Sequence, residues 1–138
     1  MVNFNECYED SEPDKIQAQC SYIERCIAEN NSTSGAMASC SLKGYELWDG
    51  KLNVEYKRLM SSVAETFGTE SSDALRKSQR SWLEYRDNAC DAVIKRSSFI
   101  GAVRGAIYRS CLSDLTAQRA IQFNKENAQI LLKTGTPR

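Results

Sequence analysis

The sequence predicts an all-α fold: a small antiparallel bundle of three long helices, preceded by an N-terminal helix and stapled by disulfides. Three observations predict it. Apolar residues recur three and four apart along most of the chain, the repeat of one helix face. Only two prolines and seven glycines occur in 138 residues, so little interrupts long helices. Six cysteines and no histidine complete the pattern. Cys7, Cys20, Cys26, Cys40, Cys90 and Cys111 form no C-x-x-C pair, so neither a zinc site nor a thioredoxin-like redox motif fits. An even set of separated cysteines reads as a framework of up to three bridges. Such bridges persist in oxidising compartments, so the protein is expected to be periplasmic or secreted.

Each element has its own signal. Ile16, Cys20, Ile23 and Ile27 share one face, and Pro13 fits a first helical turn, which predicts a first helix over 13–29. Residues 30–35, rich in Asn, Ser and Gly, read as a loop. A second helix over 36–67 carries Leu42, Tyr45, Trp48, Leu52, Tyr56, Leu59 and Val63. Gly44 and Gly50 weaken its first half, with a kink or break expected near Gly50. Gly68 is expected to stop it in the left-handed conformation. Thr69 to Ser72 then read as a turn, with Ser71 or Ser72 capping a third helix over 73–96. Its stripe is Leu75, Gln79, Trp82, Leu83, Arg86, Cys90 and either Ile94 or Val93. Ser97 to Gly101 form a short break before a fourth helix over 102–133. The whole reads as a single domain over 1–138, with a Cys-bearing N-terminal extension at 1–30 and a bundle core at 36–133.

Short connections make successive helices antiparallel neighbours. Cys90 and Cys111 then flank the last turn at nearly equal height. Cys40 lies near the start of the second helix, roughly 9 Å from the level of Cys90 at 1.5 Å per residue. These three gather at one end of the bundle, where the loop after Cys26 also arrives. A local Cys7–Cys20 bridge is favoured. Cys26, Cys40, Cys90 and Cys111 pair among themselves, in a connectivity that spacing alone leaves open.

Composition excludes several functions. Eighteen basic and eighteen acidic residues give zero net charge, so nothing attracts nucleic acid or an anionic membrane at long range. No apolar run approaches the ~20 residues that span a bilayer. The opening Met-Val-Asn-Phe lacks the marks of a signal peptide. An exported chain needs one, so the leader is expected to have been removed, with the native N-terminus near Asn3. Without histidine there is no near-neutral general base at its ordinary pKa. Glycosidase chemistry needs two carboxylates across a cleft; Glu46, Asp49, Glu55 and Glu65 read instead as a solvated helix face. The chain is therefore expected to be no enzyme and to need no cofactor or metal.

Two segments of the bundle carry unusual side chains. Trp82 and Arg86 are i, i+4 neighbours, and Gln79 lies on the same side. The guanidinium is expected to cover a core tryptophan. Tyr85 projects beside the stripe and is expected to be exposed. Leu52, Tyr56 and Leu59 are expected to meet the third helix, and Asn53 to hydrogen-bond a neighbouring backbone.

Three stretches, in order, are Asp49-Gly50-Lys51-Leu52-Asn53-Val54-Glu55-Tyr56, Gln79 to Cys90 (QRSWLEYRDNAC), and Cys111 to Arg119 (CLSDLTAQR). Together they resemble the LprI-like family, whose pattern is D-x-x-L-N-x-x-Y after a cysteine, then Q-R-x-W-x-x-Y-R-D-x-x-C, then C-L-x-x-L-T-x-x-R. The resemblance covers residues 26–123 and includes Thr116 and Arg119. Residues 1–25 fall outside it, and the glycine-rich turn of the family stands here as Gly101 and Gly105 around Arg104. The resemblance implies an exported, all-helical, disulfide-bonded protein in which Cys26, Cys40, Cys90 and Cys111 match the family cysteines. Its named member is a lysozyme inhibitor. The expected role is thus a periplasmic inhibitor that occludes a peptidoglycan-acting enzyme, either a lysozyme or a toxin delivered by a rival bacterium. Glu46, Asp49, Tyr85 and Asp87 are the expected partner contacts. A scaffolding protein of the envelope is the alternative.

Overall fold

The computed structural model describes Cys7 and residues 22–135. Apart from Cys7, the described residues form four α-helices: α1 Tyr22–Glu29, α2 Ser34–Phe67, α3 Thr69–Lys95 and α4 Gly101–Thr134. The expected start of the first helix at Pro13 lies outside the described residues. At 1.5 Å per residue α2 and α4 are each about 50 Å long.

The helix ends follow local chemistry, with two departures from expectation. Thr33 caps α2, its Oγ1 accepting from the Ala36 amide at 3.0 Å, two residues earlier than the apolar repeat suggests. The four orphan amides of a helix start make such a cap worth about 1 kcal/mol. α2 then runs unbroken through Gly44 and Gly50; packing on α4 outweighs the weak propensity of two glycines. Gly68 does have positive φ, but its ψ of −179° is extended rather than left-handed helical. That one residue reverses the chain. α3 starts at Thr69, so the expected turn over 69–72 is absorbed into the helix. Ser72 caps nothing: it is buried, and its hydroxyl donates to the Thr69 carbonyl at 3.0 Å.

Cross-helix contacts give the directions. Gln79 meets Arg119, Arg86 meets Thr116, and Cys90 meets Cys111, so α3 and α4 are antiparallel. Arg86 also lies over Tyr45, as an antiparallel α2–α3 pair requires. Ser41 pairs with Arg109, Glu55 with Asn124 and Ser62 with Asn127. α2 and α4 therefore run parallel and in register, and this is the most extensive helix contact.

That contact relocates part of the expected core. Trp48, Leu52 and Leu59 of α2 pack with Ala117, Ala120, Ile121 and Phe123 of α4. Tyr56 meets Phe123, with ring centroids 6.0 Å apart. Leu52, Tyr56 and Leu59 thus face the fourth helix, not chiefly the third. Ala117 and Ala120, both fully buried, supply the physical reason: small side chains let two long helices approach closely. Leu75 and Trp82 of α3 close the cluster from its side. Each large buried apolar side chain contributes roughly 1.5–3 kcal/mol.

The other end of the bundle is built differently. α1 packs on α2 around Cys26, Ala36 and Cys40. Gly44 is buried against α1, where an added Cβ would lie 2.8 Å from Ile23 Cδ1. The bridges are Cys26–Cys40 and Cys90–Cys111, each with Cα atoms 5.7 Å apart. Cys7 is also disulfide-bonded and half-buried against the main core. The favoured Cys7–Cys20 pairing falls on Cys20, outside the described residues.

Candidate functional site

The motif residues of α3 and α4 converge on one indole. Spacing of three and four puts Gln79, Trp82, Arg86 and Cys90 on one face of α3. Thr116 and Arg119 reach them from α4. The Arg86 guanidinium stands 5.5 Å from the Trp82 ring centre and 5.6 Å from that of Tyr45. It donates to Thr116 Oγ1 at 3.2 Å and to Asp87 Oδ1 at 3.0 Å from Nε. The Arg119 guanidinium stands 5.4 Å from Trp82 and 4.4 Å from Phe123. It donates to Gln79 Oε1 at 3.0 Å and to Ser78 Oγ at 3.3 Å.

This arrangement is a polar clamp between α3 and α4. Two cations over one aromatic ring gain about 0.5–2 kcal/mol each, more as water is excluded. Burial pushes the Arg119 pKa down, and nearby Glu126 partly opposes it. Tyr45 titrates above its usual range, first from burial and then from Asp49 and Asp87, against the pull of Arg86. Leu83 sits at the edge of the stripe and is 37% exposed.

The expected contact residues separate into two groups. Asp49 and Asp87 both act on Tyr45, and Asp87 is ion-paired to Arg86 at 2.9 Å. Tyr85 is 60% exposed and Glu46 is exposed, as expected for surface contacts. Asn53 is exposed. Glu55, read from sequence as part of a solvated face, is instead sealed in the core. Its Oε2 accepts from Asn124 at 3.4 Å, and its Oε1 from Arg58 at 3.1 Å. The signal was present: Trp48, Leu52, Glu55 and Leu59 are spaced 4, 3 and 4.

At the bridged end, Arg109 ties α4 to α2. It donates to Ser41 Oγ at 3.2 Å and to the Ala38 carbonyl at 3.3 Å. Gly105 leaves room for it, since a Cβ there would lie 3.2 Å from Arg109 Nη1. Between α1 and α4 lies a cavity of about 70 Å³ lined by Tyr22, Trp48, Ser113 and Asp114, among others. Burial, and then Glu24, raise the Asp114 pKa above its ordinary value. Among the described residues no group of side chains could hold a metal ion, and no helix is long and apolar enough to cross a membrane.

The family model for lysozyme inhibitor LprI matches residues 26–123, more than half of the chain. The chain belongs to the LprI family. The matched segment includes both described bridges, the Trp82 clamp and the whole α3–α4 connection. Membership and the bridges point to an exported protein. The chain is also 32% identical over 84 residues to the uncharacterized protein YecT of Escherichia coli (strain K12), over 54% of this chain and 52% of that one. The chain thus matches about half the length of that relative. No solved structure matches.

Proposed function

We propose that this protein works in the periplasm or as a secreted protein, as an inhibitor of a lysozyme-type peptidoglycan hydrolase. It binds the enzyme and occludes its cleft by shape and polar contacts, with no chemistry of its own. The observation that carries this reading is the family match over 26–123, which spans every described bridge. A braced bundle suits the task, because a rigid inhibitor loses little conformational freedom on binding. Glu46, Asp49, Tyr85 and Asp87 serve as flanking contacts on the α2–α3 face. Asp87 lies ~12 Å down α3 from its last residue, Lys95.

A cell-wall clearing assay tests the proposal. Excess purified, oxidised protein is expected to slow clearing by a lysozyme. A parallel assay with a hydrolase toxin secreted by a rival bacterium separates inhibition of lysozyme from immunity. Undiminished clearing by both enzymes, with no stable one-to-one complex, removes the reading in favour of an envelope scaffold.

A further inference from the structure

We propose that the connection between α3 and α4, Arg96 to Arg104, is the wedge that enters the hydrolase cleft. This rests on the inhibitor reading above and names the surface that performs it. Three independent features meet at this tip.

The first is exposed apolar surface. Phe99 is 55% and Ile100 83% exposed, side by side at the end of the bundle. Large apolar side chains on a projecting connection are what an interface uses as anchors.

The second is charge. From Asp91 to Asp114 the sequence holds no other acidic residue, yet it holds Lys95, Arg96, Arg104 and Arg109. Lys95 is occupied by Asp91 at 2.8 Å, and Arg109 by α2. The Arg96 and Arg104 side chains make no hydrogen bond or ion pair among the described residues. α2 and α4, being parallel, both begin at this end with the positive poles of their dipoles, while α3 finishes there with its negative pole and Lys95 in its last turn. In a protein of zero net charge, the connection itself carries two cations and no acidic residue. A glycosidase that cuts peptidoglycan carries a pair of carboxylates in its cleft. An apolar wedge flanked by two free guanidinium groups is complementary to that cleft.

The opposite end also exposes apolar side chains, Phe67 and Leu132. Its turn, however, holds Glu65, Glu70 and Asp73, which Arg76, paired to Asp73 at 2.6 Å, and Lys133 at the end of α4 only partly offset. Like charges would oppose its entry into a carboxylate-lined cleft.

The third feature is bracing. The Cys90–Cys111 bridge ties α3 to α4 just below the connection, and Arg109 holds the same stretch of α4 to α2. Neither the bridge nor Arg109 is needed to fill the main core, which lies nearer the middle of the rod.

The test uses the full oxidised chain and a c-type lysozyme, with inhibition and complex formation both measured. One variant is Phe99→Ser with Ile100→Ser; a second is Arg96→Glu with Arg104→Glu; a comparator is Phe67→Ser with Leu132→Ser at the opposite end. All six side chains lie at or near the surface, and circular dichroism and thermal melts confirm that each variant folds. Both tip variants are expected to inhibit at least about tenfold more weakly, and the comparator less than about threefold. Inhibition by the wild-type chain is expected to weaken with added salt, and the charge-reversed variant to lose that dependence. Tip variants that inhibit as well as wild type overturn the wedge while leaving the inhibitor reading intact. A wild-type chain that neither binds nor inhibits overturns both.

Discussion

The two ends of this bundle are held by different means. At the Gly68 end, Leu59 and Phe123 fill the space between helices, Val63 and Ile130 extend the cluster, and Ser62 hydrogen-bonds to Asn127. No bridge lies there among the described residues. At the other end small buried positions, Ala36, Ser41, Gly44 and Ala106, stand beside Ile94 and Leu112. Both described bridges stand at that end. Covalent links are found where small buried side chains are frequent. Phe99 and Ile100 stand exposed beyond them.

The largest effect expected from a single change is at the apolar end. Phe123→Ala removes the biggest fully buried side chain and should lower stability by about 3–5 kcal/mol, read by urea denaturation. It should leave inhibition by the remaining folded fraction unchanged. At the other end, Cys90→Ser with Cys111→Ser opens a bridge of sequence separation 21. The chain-entropy model puts the loss at about 3 kcal/mol. This variant should stay folded, held by the apolar end, yet lose inhibition. Equal inhibition by that variant would break the comparison. Between the ends, Arg86→Ala removes hydrogen bonds to Thr116 and Asp87 and cover from Trp82. It should lower stability by about 2 kcal/mol, measured the same way.

The smallest effect has the opposite sign. Gly50 is exposed, mid-helix and has nothing within 4 Å of an added Cβ. Gly50→Ala should therefore raise stability by about 0.5–1 kcal/mol. Gly44→Ala, six residues away, should instead displace α1, because Ile23 occupies that space. Finding the two equally stabilising would mean that α1 does not pack as closely as described.

Much of this architecture was legible in the amino-acid order, for identifiable reasons. Helix type and extent followed from the 3/4 repeat, and the gathering of Cys26, Cys40, Cys90 and Cys111 at one end followed from helix lengths. The convergence of Gln79, Trp82 and Arg86 followed from their spacing. The partner of α2 did not. Short connections dictate which helices are antiparallel, but only the alanines at 117 and 120 show that α2 rests on α4. Gly68 was legible as a stop and illegible as a one-residue reversal, because the serines after it looked like a cap. Glu55 was hidden by its charge, although its position lay on the buried stripe. The tip was hidden because Ser97 to Gly101 reads simply as a break in a helical pattern. Its meaning depends on Phe99 and Ile100 standing exposed above a bridge.

Hydrogen–deuterium exchange on a one-to-one mixture with a lysozyme-type hydrolase tests the central claim most directly. Added protection is predicted in residues 96–104, with the turn at Gly68 and the end of α4 unchanged. Protection confined to the Gly68 end, or none anywhere in the chain, would contradict it.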